Sequence, residues 1–67
     1  MLPYFSQCAI VANVRTDGSS GAFQERTFDL MLDQTVSQDK QLKEAKRILR
    51  QIGYEARGVD WEMNPGN

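Results

Sequence analysis

The chain has 67 residues, with Lys+Arg 8 against Asp+Glu 9, a hydrophobic content of 40% and a charged content of 25%. These values fit one small folded domain, exclude the charge-rich, apolar-poor signature of a disordered segment, and leave a core too thin for a sizeable internal catalytic cavity. His is absent and Cys8 is the one cysteine, which excludes a zinc centre built within the chain, a Ser-His-Asp or Cys-His nucleophile, and any intrachain disulfide.

No metal and no cofactor is therefore expected, and the lack of bridges in so small a domain favours a reducing, cytoplasmic setting. Cys8-Ala9-Ile10-Val11-Ala12 is the longest apolar run. It is far short of a bilayer span and no basic region precedes it, so neither a membrane segment nor a signal peptide is expected.

The first element predicted is a strand over residues 4–15, rich in β-branched, aromatic and small residues. It runs into the turn-formers Thr16-Asp17-Gly18-Ser19-Ser20-Gly21, and a second strand is predicted over 22–32. Together they read as a β-hairpin. Placing Thr16 opposite Ala22 sets Cys8 against Leu30, Ile10 against Phe28 and Ala12 against Arg26. One face then collects Cys8, Ile10, Val14, Phe28, Leu30 and Leu32, a set that a one-residue slip would scatter.

Near Thr35 the period changes. Thr35 and Gln38 have the spacing of a capping box, Ser37 competes as the N-cap, and Asp39 suits the positive end of a helix dipole. Leu42, Ala45, Ile48, Leu49 and Ile52 recur at helical spacing, so an amphipathic helix is predicted over 37–52, stopped by Gly53. Beyond it, Arg57, Val59, Trp61 and Met63 alternate with Gly58, Asp60 and Glu62. That alternation predicts a third strand over 56–63, followed by a flexible tail at 64–67.

The expected architecture is thus an α+β, ββαβ domain spanning residues 1–67, a three-stranded sheet with one amphipathic helix packed on one face. Spacing leaves open which neighbour the third strand takes and in which direction. The helix should cover Ile10, Phe28, Leu30, Val59 and Trp61, with Trp61 in the core, Tyr54 against the glycine cap, and Cys8 as a small core residue.

The charges segregate on this plan. Lys40, Lys43, Lys46, Arg47 and Arg50 fall on the outward arc of the helix, interrupted by Glu44. On the uncovered side of the sheet, parity gathers Glu25, Asp29, Asp60 and Glu62, with Asp33 near the margin. The same parity sends Phe5, Ala9, Val11, Phe23 and Met31 there, and apolar side chains within an acidic margin resemble the centre and rim of an interface.

Other candidates carry less chemistry. The loop Asp17-Gly18-Ser19-Ser20-Gly21 lacks the lysine and following helix of a phosphate-binding loop. Asp29 and Asp33 could do acid-base work only if a cleft held them apart and dry. No nucleophile-base pair or cofactor motif is present. The sequence thus predicts a non-enzymatic protein-interaction module, binding another protein or itself through Phe5, Val11, Phe23, Glu25, Asp29 and Met31. The alternative is a small nucleic-acid-binding or regulator-associated protein that sets Lys40, Lys43, Lys46, Arg47 and Arg50 against phosphates.

Overall fold

A computed structural model describes residues 4–62, and in it the two β-rich segments pair antiparallel as β1 (Phe5–Thr16) and β2 (Gln24–Asp33). Gly18 takes φ +82°, and the Ser19 N–H donates to the Thr16 carbonyl at 3.0 Å to turn the chain. The register is the expected one: Cys8 opposes Leu30, Ile10 opposes Phe28 and Ala12 opposes Arg26. Even-numbered residues of both strands therefore share one face, where Ile10, Ala12, Val14, Leu30 and Leu32 form the core with Ala45 and Leu49 of the helix. Ile10, Leu32 and Leu49 are the largest fully buried side chains, each stabilising the fold by about 1.5–3 kcal/mol.

Helix α1 covers Gln38–Gln51. Its N-cap is Ser37, whose Oγ accepts from the Lys40 N–H at 3.2 Å. Thr35 does not cap it, because its hydroxyl and N–H both donate to the Asp33 carboxylate, at 2.6 and 2.9 Å, closing the turn out of β2. Asp39 lies in the first turn and Arg50 in the last, as the helix dipole favours. One buried helix residue is polar: Gln41, only 4% exposed, donates from Nε2 to the Asp33 carbonyl at 2.7 Å and ties the helix to the end of β2. Ile52, read as part of the apolar stripe, is the C-cap and is 57% exposed, because its backbone has left the helical track.

Gly53, at φ +104°, reverses the chain after the helix. Strand β3 (Tyr54–Trp61) starts at once, two residues earlier than the alternation predicted. Met63 and the tail at 64–67 lie outside the described residues. The strand order is β2-β1-β3, with β1 antiparallel to both neighbours. The neighbour and direction of β3, open from spacing alone, follow: β3 runs alongside the first strand and parallel to β2 with β1 between them, and α1 is the crossover joining these two edge strands.

The helix packs more heavily on β3 than on β2. Phe28 on β2 is consequently half-buried, and its ring meets that of Tyr54 edge-on at 5.4 Å. Tyr54 therefore packs on the sheet as well as following the glycine turn. Trp61 packs against the core from an edge strand and stays half-buried.

A β-bulge corrects the reading of the third strand. Tyr54 and Ala56 oppose Thr16 and Val14, whereas Asp60 and Trp61 oppose Val11 and Ile10 in a register shifted by one residue. The extra residue falls at Gly58-Val59, opposite Ala12, with Gly58 at φ +65°. Arg57 is thereby turned away from the side of Val59 and Trp61, with which simple alternation had grouped it, and joins the uncovered face.

Candidate interaction surface

The odd-numbered residues of β1 and β2 make up the uncovered face. The Gln34 N–H donates to the Tyr4 carbonyl at 2.6 Å and the Glu62 N–H to the Ala9 carbonyl at 3.0 Å. Even residues of β1 therefore bond to β2, and Ala9 bonds to the β3 side. Residues line up across the three strands in rows: Asp29, Ala9 and Glu62 in one, Thr27, Val11 and Asp60 in the next, and Glu25, Asn13 and Arg57 beyond.

The consequence is a trough. Its floor is the central strand, where Ala9 and Val11 are small and uncharged. Its walls are Glu25 and Asp29 on β2 and Asp60 and Glu62 on β3. Two inter-strand spacings, about 10 Å, separate the backbones that carry these walls. The Asp60 carboxylate also accepts the Trp61 N–H at 2.7 Å on the outer edge of β3.

The two ends of the trough differ. At one end Phe5, 49% exposed, lies diagonal to Met31, 56% exposed, since Phe5 opposes Asp33 and Met31 opposes Gln7. At the other end Phe23 is half-buried, with the guanidinium carbons of Arg57 and Arg15 at 4.0 and 4.3 Å from its ring centroid. Arg15 also pairs with Glu55, Nε to Oε1 at 2.9 Å, and donates to the Gly21 carbonyl at 3.0 Å. Phe23 thus anchors the hairpin loop beneath two cations.

The expected site residues consequently divide. Phe5 and Met31 meet at one end, Val11 lies half-buried in the floor, Glu25 and Asp29 form a wall, and Phe23 stands apart at the closed end. Arg15, Glu55 and Arg57 also belong to this face and were not anticipated. The signal for Arg57 was available, because an isolated glycine inside a strand pattern marks a bulge.

Asp33 borders the open end. The hydroxyl of Thr35, then its N–H, hold the Asp33 carboxyl below its ordinary range, with a smaller contribution from Lys40. Cys8 is half-buried, and its Sγ accepts from Gln34 Nε2 at 3.3 Å.

On the opposite side of the molecule Lys40, Lys43, Lys46, Arg47 and Arg50 are all exposed along α1. Arg47 pairs with Glu44, one turn back on the same helix. Lys43, Lys46, Arg47 and Arg50 border one shallow depression, and Lys46 and Arg50 also line a cleft with Asp17, Tyr54, Glu55 and Ala56. Among the described residues no helix is long and apolar enough to cross a membrane. No family model, curated protein or solved structure matches the chain.

Proposed function

We propose that the protein is a non-enzymatic interaction module whose uncovered sheet face receives a cationic helical segment of a protein partner. The observation that carries this reading is the small, uncharged pair Ala9 and Val11 on the central strand, flanked by Asp29 on one side and by Asp60 and Glu62 on the other. Lysine and arginine stems would lie over the floor while their charged ends reach the walls. Phe5 and Met31 offer apolar anchors at the open end. Arg15 and Arg57 at the closed end favour the C-terminal, partially negative end of the incoming helix, so the groove is polar as well as charged.

Charge also selects the kind of partner. Two such faces packed symmetrically on each other would oppose carboxylate to carboxylate, at a cost that disfavours an isologous sheet-to-sheet dimer. A basic helix meets no such penalty.

The test is a nuclear magnetic resonance titration with a model amphipathic Lys/Leu peptide. Shifts should concentrate at Ala9, Val11, Thr27, Asp29 and Asp60, and Phe5→Ser with Met31→Ser should weaken binding. Shifts confined to α1, or none at low salt, would refute the reading.

A second reading rests on the depression bordered by Lys43, Lys46, Arg47 and Arg50. Such a patch supplies the sequence-independent part of nucleic-acid affinity. It requires duplex or single-stranded binding that falls steeply with salt and weakens in Lys46→Glu/Arg50→Glu. Absence of binding to either at low ionic strength ends that alternative.

A further inference from the structure

The two charged surfaces of this molecule are complementary to each other. On the sheet, Glu25 and Asp29 stand on one side of β1 and Asp60 and Glu62 on the other. On the helix, positions rotate by about 100° each, which spreads Lys40, Arg47, Lys43, Arg50 and Lys46 over one continuous arc of about 120° on the side away from the buried Gln41, Ala45 and Leu49. The exposed arc of the helix is thus cationic where the open face of the sheet is edged by carboxylates. The molecule is also a slab with extents of 42 × 30 × 16 Å, and the two surfaces occupy its opposite broad sides.

We propose that the trough of one copy is filled by α1 of a second copy, so that the chain associates head to tail. This rests on the reading of the sheet face as a receptor for a cationic helix, and names that helix. The contact is heterologous: each copy uses its sheet toward one neighbour and its helix toward the other, and both surfaces stay free at the ends of a stack. Growth is therefore open-ended unless a rotation closes it into a ring. The floor of Ala9 and Val11 allows the helix to approach closely, and the long stems of Lys43, Lys46 and Arg50 lie over it. The attraction is mostly between solvent-facing charges, so it is strong where the Debye length is about 30 Å, at about 0.01 M salt, and screened where it is about 3 Å, at about 1 M.

The experiment is sedimentation velocity on the full chain across a dilution series at those two salt concentrations, with two neutralised variants. One is Lys43→Gln/Lys46→Gln/Arg50→Gln, which keeps the trough. The other is Asp29→Asn/Asp60→Asn/Glu62→Gln, which keeps the helix. Circular dichroism confirms that each stays folded, as expected for exposed positions. The unmodified chain should grow in mean mass with concentration at low salt, with association weakened about tenfold or more at high salt. Each variant alone should be monomeric, and an equimolar mixture of the two should form a dimer and nothing larger, since only one intact trough and one intact helix remain to meet. A monomeric unmodified chain at low salt, self-association indifferent to salt, or a mixture that does not pair would overturn the proposal. If those failures occur while the Lys/Leu peptide still shifts the trough residues, the receptor reading stands and only the second-copy assignment falls; if the peptide also fails, both fall.

Discussion

Strand β1 carries two surfaces in one stretch of sequence. Ile10, Ala12 and Val14 are at most 2% exposed beneath the helix, while their neighbours Ala9 and Asn13 face water on the other side. Composition barely separates the two sets, since alanine and a β-branched residue occur in both. What separates them is the material opposite: the even set meets Leu49 and Ala45 of α1, whereas among the described residues no helix packs over the odd set. A strand that is apolar on both faces is ordinary in a sheet covered on both sides. Here one side is covered by the chain itself, and the other is bordered by carboxylates.

The covered side should answer to substitution through stability, the open side through association. The largest effect is expected for Leu49→Ala, which removes a fully buried side chain. It should cost about 2–5 kcal/mol, read as a lower urea midpoint at unchanged slope. In a domain this small that is a large part of the total. Val11→Thr on the open face should change stability by less than about 0.5 kcal/mol. Equal losses from the two would mean that the faces are not physically distinct.

Gly58 tests how the faces are kept apart on β3. Its φ of +65° lies in the left-handed region, and an added Cβ would be 3.5 Å from Asn13 Nδ2, so strain and not collision is the penalty. Gly58→Ala should cost about 1 kcal/mol. If the bulge relaxes in response, Arg57 loses its place over Phe23, and amide shifts should appear at Phe23 and Arg15. An unaltered midpoint together with unaltered shifts would show that the bulge does not depend on glycine.

This residue also shows what alternation alone misses and an isolated glycine signals. The hairpin register was legible because only one parity buries Cys8, Ile10, Phe28 and Leu30 together, and the helix was legible from its spacing and its Ser37 and Gly53 ends. Local alternation could not reveal a one-residue bulge, because Arg57 fits either face until Val14 opposite Ala56 and Ile10 opposite Trp61 fix the count. Phe23 was placed on the open face, yet its partners Arg15 and Arg57 come from two other strands, and no short-range pattern announces such a contact. Gln41 was obscured for a different reason: a buried amide is tolerated only because the Asp33 carbonyl accepts its hydrogen bond, a tertiary fact absent from helical periodicity.

The smallest effect is expected at the open end of the trough, where Asp33 joins the two faces. Its carboxyl is held below the ordinary aspartate range chiefly by the Thr35 hydroxyl and N–H, helped by Lys40. A group whose folded pKa is depressed contributes stability that is present above its unfolded value, about 3.9, and is lost as pH falls through the folded value. The contribution should therefore be intact at neutral pH and disappear only below about pH 4. Because the carboxylate is exposed, solvent screening keeps the effect slight, and the discriminating measurement is the carboxyl carbon shift of Asp33 followed against pH. In Thr35→Val the N–H donor stays and the hydroxyl donor goes, so the midpoint should rise part of the way toward the ordinary value while the global fold is retained. A midpoint in the unmodified chain already at the ordinary value would show that the turn from β2 into α1 is not held by this carboxylate, leaving Gln41 and the Ser37 cap to fix the entry of the helix.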